Sequence, residues 1–347
     1  MSTEPSVTAG QLLDAGLVAR PSGVAAVREL IDPLPAGVGR IVDVRVMGGI
    51  DVELLPDRGL DVGAAWYRGT PLSWTSPVGR GTPLDSPRGG DWVDRFRGGL
   101  VTTCGTDSIG PATAQAGMHG RHSHLPATDV RTERHRDGDA TVVRVSGTVE
   151  DVTMFGRRVV VHRTVETRTD TPLLVLRDVV ENTGFEAVPL PLLYHVNLGA
   201  PLVVPGSRVR SGAQQVSPRE PVEHVPDASL LPEPGDGLAE AVFEHRGLPI
   251  ADGLARVVVT SPAWEVAAVL SWSSATLPRL YEWVWPTRRG WALAVEPSTA
   301  ALFGPDRGTR REAPLLEPGA TLSTELTVRL VPREQAPGEA AGAGPGS

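Results

Sequence analysis

From Ile41 onward the chain alternates apolar and polar residues with a period of two, in short runs broken by Gly, Pro and Asp, and this pattern predicts strands. The run RIVDVRVMGGIDVELLPDRGLDVGAAWYRGTPLSW sets alternating Val, Ile and Leu between Gly-Gly, Asp-Arg-Gly and Arg-Gly-Thr turns, and predicts a meander of hairpins. TVVRVSGTVEDV, RRVVVHRTVETR and PLLVLRDVVENTG repeat the grammar with Val and Leu against charges, so each strand has a dry face and a wet one. ARVVVTS, WEVAAVLSWS, LPRLYEWVW, GWALAVEPS and TLSTELTVRLVP complete the set.

Three stretches depart from the pattern. Residues 10–32 place Val24, Val27, Leu30 and Ile31 near helical spacing and predict a short helical or irregular cover over residues 1–40. Residues 207–237 are too rich in Pro and charge for a central strand and predict an ordered excursion. After Arg333 nothing is worth burying, so 334–347 are expected to form a disordered tail. With no linker between, 41–333 are expected to fold as one all-β domain, a sandwich of two large antiparallel sheets whose concave face offers a groove for a ligand.

Composition narrows the chemistry. The 39 Gly and 32 Pro suit many turns, and a net charge of -8 argues against nucleic acid as a partner. All 33 basic residues are Arg, so Schiff-base chemistry, lysine-anchored pyridoxal phosphate and a P-loop lysine are excluded. The one cysteine, Cys104 in LVTTCGTDSIG, can form no intramolecular disulfide and reads as a small buried strand residue in a reducing compartment. The N-terminus has no basic start and no sustained apolar run, so neither secretion nor a membrane span is expected, and the expected location is the cytoplasm.

Groups that titrate near neutrality, or can be tuned there, gather in three phrases. PLPLLYHVNLGAP puts His195 at the end of a buried-looking strand, just before Asn197; such a histidine is either a satisfied core residue or an acid–base group at the lip of a pocket. LAVEPS brings Glu296 after Trp291, Leu293 and Val295; the carboxylate is expected to share their apolar face, where burial raises its pKa, the alternative being an ion pair with an arginine. MHGRHSHLPA supplies His119, Arg121, His122 and His124, with His122 and His124 two apart on an expected strand. With His119 they form a candidate divalent-metal site that would suit a hydrolase or a keto-sugar isomerase. Trp283 and Trp285, also two apart, share a face, and one of them is a candidate platform for a sugar ring.

In combination, LLPDRGLDVG, GGLVTTCG, HGRHSHLPA, LLYHVNLGAP and LAVEPS, in that order between Ile41 and Pro332, resemble the aldose 1-epimerase (galactose mutarotase) superfamily, and more closely a bacterial aldose 1-epimerase-like branch of it. The resemblance implies a β-supersandwich, a monosaccharide or sugar derivative in its groove, and interconversion of sugar anomers with no metal or organic cofactor. It makes His195 the general acid, Glu296 the general base, His119 a second histidine near the sugar oxygens, and Arg58 or Arg121 a donor to a sugar hydroxyl, with Asn197 beside the acid. A non-catalytic sugar-binding module would keep the groove and lose the Glu296–His195 pairing. Monomer and homodimer are both open.

Overall fold

The computed structural model describes residues 7–34, 37–79, 82–84, 87–307, 309 and 311–337. Two antiparallel sheets, of eleven and eight strands, hold nearly all of its strand residues, and two two-stranded pairs hold the rest. The larger sheet runs, in spatial order, through Ala25–Leu34, Gly37–Val46, Ile50–Leu55, Asp61–Tyr67, Val101–Gly105, Leu192–Leu198, Ala292–Ser298, Arg279–Trp285, Ala241–Arg246 and Gln215–Pro218, with Thr70–Pro71 beside Asp61–Tyr67. The smaller runs through Arg208–Arg210, Leu254–Ser261, Trp264–Ser273, Thr321–Pro332, Leu173–Asn182, Arg158–Arg168, Ala140–Val152 and Ala127–Asp137.

Alternation decides which side chains meet between the sheets. In Arg158–Arg168, Val159, Val161, Arg163 and Val165 are buried while the residues between them are not, as a strand wet on one face requires. Central strands of the larger sheet are covered on both faces, so all seven residues of Leu192–Leu198 and of Ala292–Ser298 are buried. Leu192, Tyr194, Val196 and Leu198 pack into the main core with Leu293, Val295, Leu280 and Val284. The odd-numbered residues of 193–197 face away from that core, and the site is built there.

One device in the core is ionic. Arg163, on the smaller sheet, makes two hydrogen bonds to its cross-strand partner Asp178, from Nε at 2.9 Å and from Nη2 at 2.7 Å. Its Nη1 reaches Asp61 Oδ1 on the larger sheet at 2.6 Å, and Tyr194 Oη donates to Asp178 Oδ2 at 2.7 Å. Charges this deeply buried persist because every strong donor and acceptor in the group is matched. The network ties the two sheets together beneath the strand that carries His195.

The edges correct the sequence reading. Residues 10–32 give one short helix, Ala9–Asp14, closed by a capping box between Thr8 and Gln11, and a 3-10 turn, Pro21–Gly23. Ala25–Leu34, expected to be part of that cover, is a strand paired along its whole length with Gly37–Val46. It lies at a sheet edge with Leu30 and Ile31 exposed, so no buried face imposed a period of two and the backbone ladder decided. The excursion over 207–237 contributes two short strands, Arg208–Arg210 and Gln215–Pro218, at the edges of the two sheets. At the C-terminus a 3-10 turn, Arg333–Gln335, follows the last strand, and Ala336 is buried beside Val258, Ala267 and Val269. The rest of the expected tail, 338–347, lies outside the described residues.

Candidate active site

His195 and Glu296 occupy neighbouring central strands in antiparallel register; the pairs Val196–Val295 and Leu193–Ser298 set them directly opposite each other. His195 Nε2 lies 3.1 Å from Glu296 Oε1, and each residue is at most 5% exposed. Thr102 is the partner of His195 on the other side, and Tyr281 is the partner of Glu296. The line Thr102–His195–Glu296–Tyr281 therefore crosses four strands on the face turned away from the core. The face of Glu296 corrects the sequence reading by one residue: alternation puts it with Ala294 and Ser298, opposite Leu293 and Val295, which belong to the core. Its close contact is His195, not an arginine.

Asn197 lies two residues from His195 on the same face. Its Oδ1 is 2.5 Å from His195 Nδ1, and its Nδ2 donates to Gly99 O and to His195 O, each at 3.0 Å. The amide orientation so fixed makes Oδ1 an acceptor, so Nδ1 carries the hydrogen and Nε2 presents its lone pair to Glu296.

Burial dominates the electrostatics. Glu296 is pushed up to about 8, by loss of solvent first and then by the Glu240 and Glu282 charges, with Arg219 opposing. His195 is held down to about 3, by burial and then by His119, with the Asn197 hydrogen bond opposing. At neutral pH the pair thus holds one proton, on Glu296, hydrogen-bonded to a neutral imidazole.

Aromatic rings close the site. Phe96, Trp283 and Trp92 lie 5.1, 5.4 and 6.1 Å from His195, centroid to centroid. Trp92 stacks on Phe96 at 4.2 Å and meets His119 edge-on at 4.5 Å. Trp283 Nε1 donates to Glu240 Oε2 at 2.7 Å, and Arg219 donates to the other oxygen of Glu240 at 2.9 Å. Trp285 stands 6.3 Å from Trp283, one step along the same face. Trp92 and Phe96 flank a 3-10 turn, Val93–Arg95, in a segment with no periodic pattern. The sequence reading passed over them, although two aromatics set among charges in DWVDRF were a signal. It also passed over Glu240 and Arg219.

The remaining candidates spread out. His119, half-buried at φ 56°, places Nδ1 2.7 Å from Ile109 O, and burial lowers its pKa. Arg58 is buried with Nη1 3.3 Å from Arg95 O; desolvation first and Arg97 next lower it to about 10. Arg121 is taken up by Asp151, with a further bond to Val152 O. His122–His124 is a 3-10 turn and not a strand, which corrects the expectation that His122 and His124 share one strand face. His122 is wedged under Gly59, where a Cβ would come within 2.7 Å of its ring and whose φ of 63° favours glycine. His124 accepts from Leu84 N at 3.0 Å, with its pKa lowered to about 4 by burial and then by Arg58. The three histidines enter different surroundings, and among the described residues no three His, Cys, Asp or Glu come together as a metal site. Cys104 is fully buried and burial raises its thiol, so it is inert. No described helix is long and apolar enough to cross a membrane.

Similar folds occur among solved structures. A "putative aldose 1-epimerase" of Klebsiella pneumoniae is 22% identical with a TM-score of 0.81, over 89% of this chain and 84% of that one. A galactose mutarotase-like protein of Clostridium acetobutylicum is 16% identical with a TM-score of 0.57, over 88% of this chain and 99% of that one. A galactose mutarotase-like protein of Lactobacillus casei is 15% identical with a TM-score of 0.51, over 88% and 100%. No curated protein matches the sequence. The family model that does match covers residues 36–330 and is described as a domain of unknown function. The chain has the galactose mutarotase-like fold, and it belongs to the DUF4432 family.

Proposed function

We propose that the protein interconverts the anomers of a sugar by acid–base ring opening at His195 and Glu296. The observation that carries the reading is their cross-strand contact at 3.1 Å in a buried, ring-lined site. Ring opening needs one group to protonate the ring oxygen while another takes the proton of the anomeric hydroxyl; the open aldehyde rotates, and closure returns both protons. A pair holding a single proton supplies both. In the free protein that proton rests on Glu296, which makes the carboxylic acid the donor and the neutral imidazole the acceptor. The resemblance assigns the reverse roles, which belong to the other protonation microstate of the same pair and are used when the ring closes.

The sugar settles over the pair, with Trp283 as the apolar platform and Glu240 and Arg219 beside it. Trp92 and Phe96 must swing away to admit it. Arg58, which lines a pocket with Thr102, Trp92 and Phe96, and His119, which meets Trp92 edge-on, are the donors proposed for the sugar hydroxyls. The substrate class is a monosaccharide or sugar derivative, with no cofactor taking part.

The test is polarimetry or saturation-transfer NMR on a panel of aldoses. His195→Asn and Glu296→Gln should each slow anomer interconversion by about 10²- to 10⁴-fold, the span for loss of a general acid or base. Full activity in either variant on the best substrate would remove the reading, and sugar binding with no turnover in the wild type would favour the binding module.

A further inference from the structure

On the opposite face of the same sheet a second histidine–carboxylate pair stands apart from the first. Phe243 is the cross-strand partner of Glu282, and His245, two residues on, puts Nε2 2.9 Å from Glu282 Oε2. The chain of contacts does not stop there. His245 Nδ1 lies 2.8 Å from Ser211 Oγ, and Ser211 comes from the other sheet, directly after the strand Arg208–Arg210. Carboxylate, imidazole and hydroxyl thus form one continuous relay across the seam between the sheets.

Its surroundings are graded. Glu282 is 1% exposed, and its Oε1 has no hydrogen-bond partner among the described residues. At the other end, Ser211 and His245 line a cavity of about 670 Å³. That volume is in the usual range for a small-molecule site. The lining is largely apolar, with Val216, Val222, Val225 and Phe243, and carries one charge of each sign, Arg210 and Asp227. The chain turns immediately after the hydroxyl, at Gly212 with φ 66°, and a Cβ there would meet Pro249 at 2.9 Å. A side chain is excluded at that position, so the residue that follows the buried serine adds no bulk beside its hydroxyl.

We propose that Ser211 and His245 form a second catalytic centre, oriented by Glu282, that hydrolyses esters of short apolar carboxylic acids. Such centres are recognised by geometry and roles, and unrelated folds assemble them from any chain order. With Nε2–H given to Glu282, Nδ1 is left to accept the Ser211 proton. Ser211 Oγ attacks the ester carbonyl carbon and its proton passes to Nδ1. The tetrahedral intermediate breaks the ester C–O bond, and the departing alkoxide takes that proton and leaves as the alcohol. Water then attacks the acyl-serine, giving a proton to Nδ1; the acyl–Oγ bond breaks, the acid departs, and the proton returns to Ser211. The sum is ester and water to acid and alcohol.

The experiment is hydrolysis of p-nitrophenyl acetate and butyrate by the full chain, with an alkyl fluorophosphonate as the covalent probe. The wild type should show saturable hydrolysis, faster with butyrate, and take up one phosphonyl group that peptide mass mapping assigns to Ser211. Ser211→Ala should lower kcat by at least about 10³-fold, since loss of the nucleophile disables the whole unit. Glu282→Gln should lower kcat with KM unchanged, which a purely structural bridge would not do. Wild-type hydrolysis no faster than the buffer blank, or a label on any other residue, overturns the proposal without recourse to a variant.

Discussion

Asn197 Oδ1 sits 2.5 Å from His195 Nδ1, two residues along the same strand, and so fixes which imidazole nitrogen faces Glu296. The spacing is a property of the strand, because residues two apart share a face. Asn197→Asp should leave the hydrogen bond in place and add a negative charge, which favours the imidazolium. The acidic limb of the pH–rate profile should move to higher pH, whereas Asn197→Ala should lower kcat by about 10- to 100-fold, as loss of an orienting partner does. Profiles of the two variants against wild type check both.

The protons of the pair set the pH dependence of the reaction. Between about 3 and about 8 it holds one proton. As the pH rises through about 8 Glu296 loses the proton that serves as the acid, so kcat/KM should fall there. As the pH drops toward about 3 the imidazole takes a second proton and the base is lost. These apparent values belong to the pair. Glu296→Gln should abolish the alkaline limb, read by polarimetry in buffers between pH 6 and 10.

Burial is what holds Glu296 high, and Trp92 helps to supply it by lying over the His195 end of the pair. Trp92→Ala should admit water to the carboxylate and bring its pKa down toward the ordinary range. The alkaline limb of the same profile should then move to lower pH by a unit or more, a shift worth about 1.4 kcal/mol for each unit. A limb that stays at its wild-type position would show that Trp92 does not shield the site.

Arg163 supports the fold from beneath. Arg163→Met leaves Asp178 and Asp61 buried without their counter-charge and should cost about 3–5 kcal/mol, measured by urea denaturation. Arg163 and the Tyr194 hydroxyl also hold Asp178 below its ordinary carboxylate value against the cost of burial. A folded-state pKa below the unfolded one contributes stability above the unfolded value and loses it as the pH falls through the folded one. Wild-type stability should therefore drop on acidification below about pH 4, where unfolded aspartate begins to take up protons, and in Arg163→Met that dependence should weaken or reverse.

Alternation and turn chemistry determined most of the architecture, because a strand with one dry face writes its own period into the chain. Arg158–Arg168 and Leu173–Asn182 are legible that way, and so are Leu192–Leu198 and Ala292–Ser298, whose apolar runs also pointed to His195 and Glu296. Ala25–Leu34 was not legible, since an exposed edge strand depends on its partner's backbone and on nothing local. The register that sets His195 against Glu296 joins residues about a hundred positions apart, and no local pattern encodes it. Tertiary structure alone decided that Trp92 and Phe96 cover the pair, that Arg163 finds Asp178 and Asp61, and that Ser211 meets His245 across the seam. The reason is physical: local sequence fixes which face of a strand a side chain occupies, whereas the pairing of distant strands and the packing of two sheets fix what it meets.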